Sequence, residues 1–338
     1  MKKVFICMVL ALALLAAREP HVRERIGDAA NRILSREQVL LEEDVPLSFA
    51  DQLGGEAASD MLDVTLYYRF ADTDMLGMEQ TQLDIRREET VAWRIVDSLI
   101  SGPSITHERL NGVFPQGTEL ISVSGEDTTA FVTLSSAFLG RPDGAPADWE
   151  DLPAWQEEAA LRRRLAVQSI VLALTENARY QRVQLYVADS DDDIPQRIPL
   201  AWFDAHAADM TTVLAASPRD EKIMLTPHKA MTMILEAWQK HDFEKLYLFL
   251  APEKGKVMPA PSEFAAEMKD IDVSLLEYET TQGTVSYDGQ IATLVLDAAI
   301  RSTEGGDAQI VRESVPLVRW MDNWAIEMDV LKSLMIRD

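Results

Sequence analysis

Val64, Leu66, Tyr68 and Phe70 alternate with Thr65, Tyr67 and Arg69, a period of two that predicts a half-buried strand starting near Asp63. The rhythm then changes. Val91, Ile95 and Leu99, flanked by Ala92, Val96 and Ile100, recur at helical spacing and predict an amphipathic helix. Glu88, Glu89 and Thr90 suit its N-terminus, and Gly102-Pro103 supplies a cap followed by a breaker. Ile121 and Val123 mark a second strand, Gly125 to Asp127 a turn, and Ala130, Val132 and Leu134 a third strand. After a Pro-, Gly- and Asp-rich insertion from Pro142 to Pro153, a long helix is expected over Glu157 to Asn177, apolar on most sides between Leu165 and Leu174. Val183, Leu185 and Val187 close the unit as a strand. The order β-α-β-β-α-β over 63–190 describes a small α+β sandwich with helices on one face of a sheet.

Residues 191–222 read as a bridge, punctuated by Pro195, Pro199 and Pro218, with a helix expected around Leu200 to Leu214. A second domain follows over 223–338. Thr226-Pro227 is an N-cap and first-turn pair for a helix carrying Ala230, Ile234, Ala237 and Trp238 on one stripe. Phe243 to Leu250 and 262–269 continue as helices. Four strands are expected at 273–285, 290–301, 309–320 and 324–331, joined by turns at Asp288-Gly289, Gly305-Gly306 and Asp322-Asn323. Helices first and an antiparallel meander afterwards form a cone-like layer pair. The fold class is therefore α+β in two domains.

Composition changes the picture at the N-terminus. Lys2 and Lys3 precede an apolar run from Val4 to Ala17, closed by Arg18-Glu19-Pro20, so 1–19 has the layout of a signal peptide or N-terminal anchor. Leu14 to Ala17 resembles a bacterial lipobox, but Arg18 stands where a lipidated Cys belongs. Export follows from this reading, with the chain anchored at the extracytoplasmic face or released. Residues 20–62 are a polar, acidic spacer, with a short packed helix as the alternative. Cys7 is the sole cysteine and lies within the leader, so a cleaved chain has no disulfide or thiol chemistry. The net charge of -24 excludes the basic clusters that phosphate backbones need, and nucleic acid is not an expected partner. The same charge keeps the chain off anionic membranes except through its N-terminal segment.

Leu99-Ile-Ser-Gly-Pro103, Phe114-Pro-Gln-Gly-Thr-Glu-Leu-Ile-Ser-Val123 and Phe131-Val-Thr-Leu-Ser-Ser-Ala-Phe138 each join a hydrophobic element to a Gly, Pro or Ser junction. Together with Val64-Thr-Leu-Tyr-Tyr68, Ile170-Val-Leu-Ala-Leu-Thr-Glu176 and Arg182-Val-Gln-Leu-Tyr-Val187, they resemble the GerMN domain of sporulation and germination proteins over roughly 63–190. The resemblance implies an extracytoplasmic protein of spore formers or their relatives, with a fold similar to ring-building domains. The second domain resembles the cone fold of nuclear transport factor 2-like proteins, on the Ala230 to Trp238 helix, the His241-Asp-Phe-Glu-Lys-Leu-Tyr247 continuation and the meander ending in Trp320 and Trp324.

Candidate chemistry is sparse. No two of the five histidines stand at a helical metal-ligand spacing, so no metal is expected. Asp189-Ser-Asp-Asp-Asp193 lacks the Gly and Glu of an EF-hand loop and reads as a solvated acidic loop. His241-Asp242 offers either a base with its orienting carboxylate or, more simply, a helix-end cation and the next helix's cap. Ser135-Ser136 lacks the context of a nucleophile elbow. Arg162-Arg163-Arg164, the one compact basic run, and Trp202 with Phe203 in the bridge form the candidate interaction surface; for the aromatics the other reading is a cover over the seam between the domains. The expectation is a non-catalytic envelope protein without cofactor. It would act through contacts with sporulation-complex or other envelope proteins, or with itself. The alternatives are a small-ligand binder using the cone, with His241 and Asp242 as pocket residues, and an enzyme in that cone.

Overall fold

In the computed structural model the first alternating segment is strand β1 (Asp60–Phe70). The structure describes residues 60–86, 89–207, 209–271, 273–302 and 307–335, so the leader at 1–19 and nearly all of the spacer at 20–62 lie outside the described residues. A turn begun by Ala71, at φ 48°, returns the chain into β2 (Leu76–Ile85), a strand that the sequence reading passed over. Helix α1 (Val91–Ser101) starts at Thr90, whose side chain accepts the Trp93 N–H, and ends at Gly102 with φ 91°. The left-handed backbone there favours glycine. The Tyr68 hydroxyl donates to the Ser98 and Gly102 carbonyls, which ties β1 to the end of α1.

β3 (Leu110–Asn111) completes a small sheet of order β2-β1-β3. A second sheet holds the antiparallel pair β4 (Leu120–Glu126) and β5 (Thr129–Ser135). The long helix α2 (Pro153–Asn177) follows, with Leu165 to Val167 and Ile170 to Leu174 buried as its apolar middle requires. β6 (Arg182–Ala188) then runs parallel to β5. The α+β class holds, but β1 does not lie in the sheet of β4, β5 and β6. Side chains of α2 occupy its edge instead. Asn177 Oδ1 accepts the Thr65 N–H at 2.9 Å, Asn177 Nδ2 donates to the Thr65 carbonyl at 2.8 Å, and Ser169 Oγ donates to the Tyr67 carbonyl.

The bridge folds onto this half. β7 (Gln196–Arg197) and β8 (Ser217–Pro218) both pair with β6, and Ile198 is fully buried. The helix expected near Leu200 to Leu214 is a single 3-10 turn over Leu200–Phe203, because Pro199 pairs with Val213 as a bridge and keeps the intervening chain looped.

The second half begins with α3 (Pro227–Gln239), capped by Thr226, then α4 (Phe243–Tyr247), β9 (Leu250–Ala251) and α5 (Pro261–Lys269). β10 (Val273–Val285), β11 (Ile291–Ser302), β12 (Gln309–Trp320) and β13 (Asn323–Glu327) form the meander, and β9 joins β13 in parallel. The expected last strand ends early. Residues from Met328 turn into α6 (Met328–Met335), which buries Met328, Leu331, Leu334 and Met335 at helical spacing. The space between helices and sheet is filled: Met231, Ile234, Trp238, Phe249, Phe264 and Leu294 are all at most 1% exposed.

Residues from Met61 onward form one compact unit with a common hydrophobic core. Phe70 of β1 and Phe249, just before β9, place their rings 5.1 Å apart, and both are buried.

Candidate functional site

The two halves meet along β2 and the β12–β13 turn. The Leu225 N–H donates to the Leu76 carbonyl at 2.8 Å. One step along, Met78 and Asn323 exchange two bonds: the Met78 N–H donates to Asn323 Oδ1 at 2.9 Å, and Asn323 Nδ2 donates to the Met78 carbonyl at 3.0 Å. The Gln80 N–H donates to Asp322 Oδ2 at 2.9 Å. A side-chain amide and a carboxylate thus satisfy the outer edge of β2 as another strand would.

His107 closes the seam from the loop after α1. Its Nε2 lies 3.0 Å from Asp322 Oδ2, and its Nδ1 lies 2.9 Å from Ser104 Oγ and 3.8 Å from Glu79 Oε1. Glu79 is buried, and its other oxygen accepts the Ser104 N–H at 3.1 Å. The two ring nitrogens of the imidazole thereby engage partners from different halves, which makes His107 a positioning group for the joint.

Beside this joint lies a cavity of about 250 Å³. Leu76 and Met78 wall one side, and Leu225, Pro227, Val285 and Trp324 the other. Two titratable groups reach it, Tyr67 and Arg319. Burial raises the Tyr67 phenol pKa, with the Glu176 charge adding to it. Arg319 Nη1 donates to the Asp322 carbonyl at 2.7 Å and to Met78 Sδ at 3.2 Å, and its guanidinium carbon lies 4.0 Å from the Trp324 ring centre. Burial lowers the Arg319 pKa, opposed by the charge of Asp322.

The basic run is split by the helix that carries it. Arg163 points inward and is 5% exposed. It donates to the Leu139, Gly140 and Trp202 carbonyls and lies between the Trp149 and Trp202 rings, 5.7 Å and 4.8 Å from their centres. Burial depresses its pKa to about 10, against the opposing charge of Glu150. Arg162 is half-buried and bonds Glu158 and the Asp143 carbonyl, while Arg164 is exposed and donates to the Phe203 carbonyl at 2.6 Å. Phe203 is buried and Trp202 half-buried, both against α2 rather than along the seam between the halves. Arg163, Arg164, Trp202 and Phe203 meet in space as a clamp that fixes the bridge to α2, while Arg162 turns to Glu158 and the Asp143 carbonyl instead. Arg163 and Phe203 offer no face to a partner.

His241 and Asp242 are exposed and stand apart from the cavity. His241 has φ 55°, and Asp242 Oδ1 accepts the Lys245 N–H at 3.0 Å, so the pair forms the turn and cap of α4. In the acidic loop Ser190 Oγ donates to Asp193 Oδ2, and among the described residues no group of three or more His, Cys, Asp or Glu stands as a metal site. Ser135 Oγ accepts the Glu119 N–H at 2.9 Å, a junction between strands. Sequence reasoning missed Glu79, His107, Arg319, Asp322 and Asn323. Asp322-Asn323 was visible only as a turn; Glu79 lies in a strand not foreseen, and His107 and Arg319 meet partners more than 200 residues away.

Residues 65–193 match the Germane family, described as sporulation and spore germination. No curated protein sequence matches the chain. Among solved structures, the tandem GerMN domains of the sporulation protein GerM from Bacillus subtilis align at 18% identity with a TM-score of 0.28, over 42% of this chain and 47% of that one. The chain thus spans about half the length of that tandem. The first GerMN domain of the same protein aligns at 15% identity and a TM-score of 0.27, over 48% of this chain and 99% of that domain. A ketosteroid isomerase-like protein from Erwinia carotovora atroseptica aligns at 13% identity and a TM-score of 0.22, over 29% of this chain and 86% of that one. Among the described residues no helix is long and apolar enough to cross a membrane.

Proposed function

We propose that this chain, whose residues 65–193 match the Germane family, is a non-catalytic assembly protein of the cell envelope that serves sporulation or germination. It is exported through its N-terminal segment, stays at the extracytoplasmic face, anchored or released, and acts through contacts with other envelope proteins or with further copies of itself.

The observation that carries this reading is the filled second half. Trp238, Phe249 and Phe264 fill the space between the helices and the meander, and His241 with Asp242 faces solvent as a helix cap. The bonds of Asn323 and His107 across the seam support a further role for this half, as a rigid extension of the Germane-like half. The surface on offer is strand edge. β4 ends its sheet with Ser122 and Ser124 exposed, whereas β10, which ends the other sheet, has its Val273, Leu276 and Thr280 carbonyls met by Trp238, Gln239 and His228 of α3. An exposed edge presents unpaired backbone donors and acceptors to a second chain.

Chemical crosslinking of the full chain in intact cells, followed by recovery of its complexes, tests the proposal. Recovery of sporulation or envelope assembly proteins, or of covalent oligomers of this chain, is expected. Recovery of the monomer alone with a bound metabolite contradicts it.

A further inference from the structure

The seam cavity carries an inference independent of the assembly role. Its walls come from both halves and are largely apolar, with Leu76 and Met78 facing Leu225, Val285 and Trp324. Against this lining stands one cation. Arg319 is held from behind by the Asp322 carbonyl and by a thioether, the weakest of acceptors, while Trp324 stacks beneath it. Among the described residues no carboxylate stands within ion-pair distance of Arg319: Asp322 turns its carboxylate to His107 and the Gln80 N–H and gives Arg319 only its backbone oxygen. A guanidinium beside an apolar hollow, with the charge of Asp322 near it but no carboxylate in direct contact, is unusual in a chain with a net charge of -24. It is complementary to a ligand that brings the missing charge.

The geometry points to a binding site for a small amphipathic carboxylate, its acid group paired with Arg319 and its short apolar tail laid between Leu76 and Trp324. The planar guanidinium fork can take both oxygens of a carboxylate at once. A volume of about 250 Å³ suits a medium-length chain or a single ring and excludes a long acyl chain. Because the walls belong to both halves, an occupant joins them, and binding stabilises the folded unit as a whole.

Calorimetric titration of the full chain with octanoate and with 1-octanol tests this, together with thermal melting in each ligand. Octanoate is expected to bind about ten-fold more tightly than 1-octanol and to raise the melting temperature. In Arg319→Met the two ligands become equal in affinity while 1-octanol binding persists. Arg319→Lys retains part of the preference, which keeps the test valid should the Met variant fold poorly. Leu76→Trp, which fills the cavity, removes both. Absence of octanoate binding to the unaltered chain overturns the proposal. So does a preference for octanoate that survives in Arg319→Met, or binding that survives in Leu76→Trp.

Discussion

Asn323 pairs with Met78 as one strand pairs with its neighbour: the side-chain amide accepts the Met78 N–H at 2.9 Å and donates to the Met78 carbonyl at 3.0 Å. Asn323 is 6% exposed, so water cannot replace either bond. Asn323→Leu keeps the branched shape of the side chain and leaves the Met78 N–H and carbonyl without their partner. It is expected to cost about 2–4 kcal/mol, measured by urea unfolding, and to lower the midpoint of a single transition rather than split it into two.

Gly77 makes this approach possible. A Cβ there would lie 2.5 Å from Asn323 Oδ1 and 2.8 Å from Leu110 Cδ2. Gly77→Ala is expected to destabilise by about 1–3 kcal/mol. The double variant with Asn323→Leu should lose less than the sum, because both changes break the same contact. Full additivity in urea unfolding would show the contact to be energetically idle.

Arg163 is the centre of the clamp on the bridge. Arg163→Ala leaves the Leu139, Gly140 and Trp202 carbonyls without their donor and a gap between two indoles, an expected loss of about 3 kcal/mol. Lys cannot reproduce the fork and should recover less than half. Limited proteolysis within 191–216 should accelerate in both variants, since β7 and the Leu200–Phe203 turn are what the clamp holds.

Glu158 sets an acid limb. Burial pushes its pKa up, but hydrogen bonds and charge from Arg69 and Arg162 outweigh it and hold the carboxyl below its ordinary value. The unfolded chain therefore binds the proton more readily. The stability contributed is fully present above the ordinary carboxylate range and is lost as pH falls through the folded value. Glu158→Gln should be about 1–2 kcal/mol less stable near neutrality and lose less on acidification than the unaltered chain, as followed by melting temperature against pH.

His241 and Asp242 separate cap from chemistry. Asp242→Ala should cost about 1 kcal/mol through the lost cap. His241→Gly should be neutral or stabilising by up to about 1 kcal/mol, because φ 55° strains a residue with a Cβ. Complementation of a deletion strain by His241→Gly is expected to be complete, and failure with an intact fold would give the histidine a role of its own.

Elements written in local pattern were legible in the sequence. Thr90 and Gly102 bound α1, Thr226-Pro227 starts α3, and Asp288-Gly289 turns β10 into β11, each through chemistry within a few residues. β2 escaped because Glu79 and Gly77 are buried where alternation calls for apolar side chains, and their partners lie in distant segments. α6 was legible but unread: Met328, Leu331, Leu334 and Met335 recur at helical spacing, and the strand expected at 324–331 ran over the first two. The basic run looked like one surface because three adjacent arginines on a helix point about 100° apart, and only packing tells which faces inward. The seam was beyond reach, since most of its hydrogen bonds span more than 200 residues.

The expected export is checked by fusing a reporter active only outside the cytoplasm after Asp60. Signal is predicted, and purely cytoplasmic activity would contradict the reading of residues 1–19.

Residue-resolved photocrosslinking in intact cells tests the assembly role most directly. A photoreactive amino acid at Ser124, on the free edge of β4, is compared with one at Asp191 in the acidic loop. A discrete crosslinked partner from Ser124, an envelope protein or a second copy of this chain, and none from Asp191, is the predicted result. Equal and diffuse products from both positions, or none from Ser124, would contradict assembly through the β4 strand edge.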